Sequence, residues 1–347
     1  MTRALVTGST GFLGANLVAG LNQRGVEVVG LRRKSSPEDA VEGLKLSFVV
    51  GDILDAGSLE TAMQGIDWVF HVAAVADYWR TPAETIYKVN VDGARNVFEA
   101  ALKAGVKKVI YTSSSAAVGM PRPGKPLLDE LDRFNLKPAE FFYGHSKQLA
   151  EDLMLSYVDK GLNAVSMLPS AVIGPRDLKF NVGELIVQAL KPSLPIMPLP
   201  RGGLNYIDVR DCVAGHIAAA EKGENAGRYL LTGHNLTHRQ TMEQVNRALG
   251  TSVPIVELPR WMFIPAAEVV DILQKLDVKL PVDKGRVLHS REYVYYDNSK
   301  AVRELGLSIR PFADSVRDTY EWYIENDYLS RRGISTPRTA GGLSQPN

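Results

Sequence analysis

Arg3-Ala-Leu-Val-Thr-Gly-Ser-Thr-Gly-Phe-Leu-Gly14 is the stretch on which the fold turns. Ala4, Leu5 and Val6 form a short apolar run with the length of a buried strand. Gly8, Gly11 and Gly14 interrupt it, and Leu13, Leu17, Val18 and Leu21 then recur at helical spacing. A strand that passes through glycines into a helix N-terminus builds an anion site. The glycines let the backbone turn tightly and approach a phosphate, and the free N–H groups and helix dipole hold it. A glycine triplet alone is a common packing device; the strand before it and the helix after it make it a dinucleotide signal. Val26, Val28 and Val29 supply the second strand of a βαβ unit. The spacing Gly-x-x-Gly-x-x-Gly is one residue longer than the usual Gly-x-Gly-x-x-Gly.

Strand-like runs continue at 46–50, 67–72, 107–112 and 163–168, alternating with helical patterns near 56–64, 82–104 and 142–160. That alternation predicts an α/β fold with a doubly wound parallel sheet. After Pro169 the texture changes. Prolines crowd 192–200, Ile207 to Lys222 reads as a return helix, and Tyr229-Leu-Leu-Thr as a further strand. Residues 254–290 hold an apolar insertion whose helical spacing fits a core or lid helix better than a membrane-touching face. The expected division is a nucleotide-binding domain over 1–168 with return segments near 205–223. A smaller substrate domain is built from separated segments over 169–330. The Gly-, Ser-, Thr- and Pro-rich tail 331–347 is expected to be disordered.

Composition excludes several classes. The 347 residues suffice for a full α/β domain and a second, smaller unit. Forty lysines and arginines against 39 acids give a net charge of +1, so no attraction to nucleic acid or an acidic membrane is expected. One cysteine, Cys212, rules out an intrachain disulfide and suits a reducing cytosol; its apolar setting marks it as core. Met1 to Val6 are already used by the first strand, which leaves no signal peptide. No apolar run reaches the roughly 20 residues of a membrane span. A cytoplasmic protein is expected. His234 and His238, four apart in a turn-like segment, have no third ligand, so no metal is expected.

Tyr143-Gly-His-Ser-Lys147 opens a helical run and places a phenol and an ammonium one turn apart on one face. A nearby lysine stabilises the phenolate and lowers a pKa that starts near 10, so the pair can exchange a proton near neutral pH. The motif is common on helix surfaces; a dinucleotide at the N-terminus gives it a purpose. Tyr111-Thr-Ser-Ser-Ser-Ala-Ala-Val118 clusters hydroxyls where a strand leaves the sheet, the edge at which α/β sheets bind ligands. A serine there can hold a carbonyl or alkoxide oxygen, or simply satisfy its own turn.

These elements, in this order, resemble the extended branch of the short-chain dehydrogenase/reductase superfamily. The likeness spans nearly the whole chain. It includes Gly51-Asp-Ile53, His71-Val-Ala-Ala74, Asn90-Val-Asp-Gly93, Leu168-Pro-Ser-Ala-Val-Ile-Gly-Pro175, Tyr206-Ile-Asp-Val-Arg-Asp211 and Asn298-Ser-Lys-Ala-Val-Arg-Glu-Leu-Gly306. The resemblance implies a Rossmann-type fold in which Ser115 orients the substrate oxygen, Tyr143 is the general acid/base, and Lys147 holds the nicotinamide ribose and tunes the tyrosine. It implies a phosphate loop of Gly8, Thr10, Gly11, Phe12, Leu13 and Gly14, with Asp52 and Ile53 flanking the adenine. Ala73 and Ala74 would run along the cofactor, and Asn90, Ser113 and Pro169 would complete its contacts. Tyr78 and Ser170 would join Ser115 and Tyr143 at the substrate. A monomer, or a homodimer through the helices near 82–104 and 142–160, is implied.

A ribose 2′-hydroxyl is usually held by an acid about 20 residues past the glycines. Gly30-Leu-Arg-Arg-Lys34 carries none, and Arg32 and Arg33 suit a 2′-phosphate, so NADP (NADPH) is expected rather than NAD. Three activities stay open. One is NADPH-dependent reduction of a ketone or aldehyde, as in dihydroflavonol 4-reductases. Another is a nucleotide-sugar epimerase or dehydratase with tightly bound NAD(P), for which Arg176, Lys179, Arg201 and Arg210 could hold a diphosphate. The third is a non-catalytic NADP sensor, against which Ser115, Tyr143 and Lys147 all stand. Tyr78, Trp79, Trp261, Met262 and Phe263 give the variable half an apolar character and favour the reductase. So does Val118-Gly119, which lacks the tyrosine that many sugar epimerases carry there.

Overall fold

The structure is a computed structural model that describes residues 2–276, 278 and 284–334. Strand β1 (Arg3–Thr7) passes through the glycine loop into α1 (Phe12–Gln23), and β2 (Glu27–Arg32) closes the first crossover. β3 (Ser47–Val50), α2 (Ala56–Ala62) and β4 (Trp68–His71) follow. α3 (Ala83–Tyr87) runs through a π-type turn at Lys88–Asp92 into α4 (Gly93–Lys103). β5 (Lys108–Thr112) leads to a 3-10 turn at Ser115–Val118. Next come β6 (Leu127–Leu128), α5 (Phe142–Val158), β7 (Ala164–Pro169) and β8 (Ala171–Ile173). The later part holds α6 (Glu184–Leu190), β9 (Met197–Pro200), β10 (Gly203–Asp208), α7 (Val209–Lys222) and β11 (Arg228–Leu231). β12 (His234–Thr237), α8 (His238–Leu249) and β13 (Ile255–Leu258) follow. α9 (Phe263–Lys275), α10 (Lys284–His289), β14 (Tyr295–Tyr296), α11 (Ser299–Leu305) and α12 (Phe312–Glu325) come last.

Seven strands form one parallel sheet in the order β11-β7-β5-β4-β1-β2-β3. Helices cover both faces, and the buried side chains show it. Along β5, Val109 and Tyr111 enter one core while Ile110 enters the other; along β4, Val69 and Phe70 divide the same way. Burial on both faces is why these strands read as unbroken apolar runs rather than alternating ones. The strand order reverses between β1 and β4, and ligands of such sheets bind outside the carboxyl ends of the strands at that switch.

A smaller three-stranded sheet, β12-β10-β8, lies over a third core built from Ile173, Phe180, Ile186, Met242, Val245, Phe312, Val316 and Tyr323. Several details differ from the sequence reading. Ile207 and Asp208 finish a strand, and Asp208 accepts from the Arg210 N–H to start α7 there. His234 and His238 belong to β12 and the first residue of α8 rather than to a turn. Arg331 and Arg332 end a 3-10 turn and Ile334 is buried, so the tail read as disordered begins with packed residues; 335–347 lie outside the described residues. α9 is not a core helix. Ala267 is buried, whereas Ile264, Val269 and Ile272 face solvent. Among the described residues no helix is long and apolar enough to cross a membrane.

α7 is tied to the sheet by His216, whose Nε2 lies 3.0 Å from the Thr112 hydroxyl and whose Nδ1 lies 2.8 Å from the Cys212 carbonyl. Burial pushes His216 down to about 4, and burial together with the Lys147 charge pushes His71 down to about 3, from an ordinary 6.5. Both are neutral when folded, and the unfolded chain takes up their protons first. Their contribution to stability is therefore complete above pH 6.5 and is lost as the pH falls toward about 4 and then about 3. Urea midpoints should drop between pH 7 and pH 5, and His216→Gln should shallow that slope. Equal slopes in the two proteins would contradict the assignment.

Candidate active site

Three strand ends meet at the switch. β1 gives the glycine loop, β4 gives His71 to Ala74, and β5 gives Ser113 to Ser115. Thr7 locks the first two together. Its hydroxyl oxygen accepts from the Val72 and Ala73 N–H groups (3.1 and 3.2 Å) and lies 2.8 Å from His71 Nδ1. With both lone pairs taken, the Thr7 proton is left for Nδ1, which places the ring proton of the neutral His71 on Nε2.

Gly8 adopts φ +69°, and a Cβ there would stand 2.9 Å from the Ala73 backbone. At Gly14 a Cβ would stand 2.1 Å from the Gly8 carbonyl. The loop and α1 are thus pressed so closely against the end of β4 that only glycine fits. The first turn of α1 has no acidic residue and no side-chain cap, so its N–H groups and dipole stay available to a phosphate. Thr10, Phe12 and Leu13 are half-buried beside them. These residues fit a dinucleotide pyrophosphate.

The adenosine end is more mixed. Arg32 lies over the Phe48 ring (4.8 Å) and pairs with Glu38 at 3.0 Å, while its Nε is buried without a hydrogen-bond partner. The acid missing from residues 30–34 is therefore present at Glu38, but Arg32 engages it. Arg33 is exposed. A cavity of about 510 Å³ lined by Glu38, Val41, Leu46 and Phe48 adjoins them. The Asp52 carboxylate accepts from the Leu54 N–H (2.9 Å), and Ile53 packs against Gly93. Asn90 sits in the π-type turn and clamps the chain after β4: its Oδ1 accepts from the Val75 N–H (2.8 Å) and its Nδ2 donates to the Ser146 hydroxyl (3.0 Å).

α5 brings Tyr143 and Lys147 to the same edge. Lys147 is 3% exposed and donates to the Thr112 carbonyl at 2.9 Å, with the Tyr111 ring 5.2 Å away. Burial pushes its ammonium down to about 7, against an upward pull from the Glu151 carboxylate. Burial pushes the Tyr143 phenol up, and a side-chain hydrogen bond with Ser114 draws it back. Tyr78 stacks on Tyr143 (ring centres 5.3 Å apart, planes 17° apart), and Phe141 closes edge-on against Tyr78 at 5.1 Å. Phe141 in turn touches His289 of α10, which lines a 250 Å³ cavity with Met120, Leu136 and Leu288.

Ser115 lies in the 3-10 turn and presents its backbone carbonyl to the Tyr296 hydroxyl (3.4 Å). Ser114, in extended conformation, caps that turn by accepting from the Ala116 N–H (3.2 Å), and its hydroxyl draws the Tyr143 phenol back down against burial. Ser113 is buried with its hydroxyl unpartnered. Pro169 ends β7 opposite Leu231, and the Ser170 hydroxyl donates to Asn205 Oδ1 (2.6 Å), inside an amide network with Asn235 rather than toward Tyr143. Among the described residues no three His, Cys, Asp or Glu side chains group as a metal site.

Comparison with known proteins agrees with this architecture. The chain is 36% identical over 330 residues to a Synechocystis protein named "Putative dihydroflavonol 4-reductase", across 93% of this chain and 95% of that one. It is 30% identical over 333 residues to sterol demethylase protein B of Methylococcus capsulatus, across 94% and 99%. The crystal structure of gox2253 superposes with a TM-score of 0.82 at 32% identity, covering 94% of this chain and 99% of that one. With residues 4–231 matching the family as a whole, the chain belongs to the NAD dependent epimerase/dehydratase family and is an NAD(P)-dependent oxidoreductase.

Proposed function

We propose that this chain reduces a ketone or aldehyde carbonyl on a small organic substrate, with NADPH as the reductant. One observation carries the reading: Tyr143 is walled by Tyr78 and Phe141, an aromatic surface suited to an apolar organic carbonyl. Most cations that a sugar diphosphate would need are engaged elsewhere. Arg176 donates to the Ala40 carbonyl (2.6 Å), and Lys179 pairs with Asp77 (3.0 Å). Arg210 pairs with Asp208 (2.7 Å) and Asp318 (2.6 Å). The Synechocystis relative, named for a flavonoid-type reductase, supports the same substrate class.

Bound NADPH supplies the hydride that the carbonyl carbon takes up. The chain's own residues manage the oxygen and its proton. Gly8 to Gly14 and the N-terminus of α1 would hold the pyrophosphate, and Arg32 and Arg33 the 2′-phosphate. The Ser114 hydroxyl, already turned to Tyr143, orients the substrate oxygen. Tyr143, kept protonated by burial, gives its proton to that oxygen as negative charge develops there. The Lys147 charge, one turn along α5, favours the phenolate left behind. Its bond to the Thr112 carbonyl fixes the ammonium and leaves its other donors for a ribose hydroxyl.

Tyr143→Phe should lower kcat/KM for carbonyl reduction by about 100- to 10,000-fold while NADPH binding persists. Ser114→Ala should cost about 100-fold, and Ser115→Ala should leave the rate nearly unchanged; the reverse order would restore Ser115 to the role. Arg33→Ser should reduce the NADPH-to-NADH efficiency ratio by about tenfold or more, through loss of a charge-assisted contact. A wild-type preference for NADH would remove the arginine assignment. Assays of aldehydes, ketones and nucleotide sugars with NADPH decide the activity. Sugar interconversion without net NADPH oxidation would replace the reductase with an epimerase, and no turnover with any carbonyl would leave a sensor.

A further inference from the structure

Glu151 is a buried carboxylate that the proposed chemistry does not use. It is 1% exposed and stands four residues beyond Lys147, as Lys147 stands four beyond Tyr143, so the three share one stripe of α5. A carboxylate removed from water is unfavourable unless it is paired and fully hydrogen-bonded. Glu151 is held from three directions. Its Oε1 accepts from the Ser166 hydroxyl on β7 (2.9 Å), and its Oε2 accepts from Arg228 Nε on β11 (2.8 Å). Arg133, from the segment before α5, approaches Oε2 at 3.7 Å. Arg228 is anchored in turn by donating to the Glu130 and Asp132 carbonyls (2.7 and 2.6 Å). This clamp fixes the carboxylate one turn beyond Lys147.

We propose that Glu151 is a positioning residue whose carboxylate, clamped by Arg228 and Ser166, keeps the Lys147 ammonium charged and seated between the Thr112 carbonyl and Tyr143. The inference rests on the roles given to Tyr143 and Lys147 above. The groups facing Lys147 are Tyr143 and Glu151 on its own helix, Tyr111 and the Thr112 carbonyl on β5, and His71 on β4. Burial keeps His71 neutral and pushes the Tyr111 and Tyr143 phenols up, so at neutral pH these three carry no charge. The Glu151 carboxylate pulls the Lys147 ammonium upward, against the desolvation that brings it to about 7. At that value a modest loss of negative charge discharges Lys147 near neutral pH.

The decisive measurement uses the cofactor-free full chain and needs no substrate. Because Lys147 titrates at about 7 when folded and near 10.5 when unfolded, its contribution makes stability rise with pH between those values. Glu151→Gln should move the onset of that rise down by about one pH unit, read as urea midpoints against pH. In a Lys147→Met background, which removes the rise, Glu151→Gln should shift nothing further. With an identified carbonyl substrate, Glu151→Gln should lose activity at pH 7 and regain it as the pH falls to 5.5, and Glu151→Asp should restore the wild-type profile. If Glu151→Gln does not fold, the pair Glu151→Gln with Arg228→Met, which leaves no unpaired buried charge, carries the same expectation. An unchanged onset with uniformly lower stability would make Glu151 a structural residue only and overturn the proposal. Failure of Tyr143→Phe to affect carbonyl reduction would instead overturn the functional reading and leave the stability result standing.

Discussion

The close approach of α5 to the turn after β5 is the constraint on which the site depends. Gly144 makes it possible: a Cβ there would stand 2.8 Å from the Ala116 carbonyl and 2.9 Å from the rings of Phe134 and Phe141. With that gap closed, Tyr143 meets Ser114 and Lys147 reaches the Thr112 carbonyl in one movement of a rigid helix. The same seating carries Glu151 down to Arg228 and Ser166, so the chemistry at one end of the stripe and the ion pair at the other are set by one packing contact. A site built on a helix and strand ends in this way needs no flexible loop to hold Tyr143 and Lys147.

Desolvation then sets the charges. Lys147, His71 and Tyr143 lie at the end of a sheet covered on both faces, where an ion is expensive and a hydrogen-bonded neutral group is not. His71 and Tyr143 respond by staying neutral; Lys147, with a carboxylate two turns along the same stripe from the phenol, sits at the margin. The glycine loop does the opposite. It keeps backbone N–H groups open at a helix terminus free of acids, the form in which a fold accepts an anion without placing a charge of its own.

Much of this was legible in the chain. The glycine spacing, the apolar runs of β1, β2, β4, β5 and β7, and the Tyr143–Lys147 interval are local patterns, and each falls within a residue or two of its observed element. What local pattern could not reach was choice among equivalents. Three serines in a row look alike until one caps the 3-10 turn. The Ser170 hydroxyl donates to Asn205, a partner that no local pattern names. Arg176, Lys179 and Arg210 look like a diphosphate site until Ala40, Asp77 and Asp318 reach them from far along the chain. The apolar spacing of α9 suggested a core, yet spacing records an apolar stripe and not what covers it.

By itself the sequence determined the parallel α/β sheet, the glycine loop and the helix that carries Tyr143 and Lys147, because periodicity, glycine placement and a four-residue interval act over distances that the chain spans locally. Only the tertiary structure decided which cations find partners and that Arg228 and Ser166 clamp Glu151. Those outcomes depend on groups such as Arg228 and Glu151, 77 residues apart, whose meeting is set by how the sheet and its helices pack.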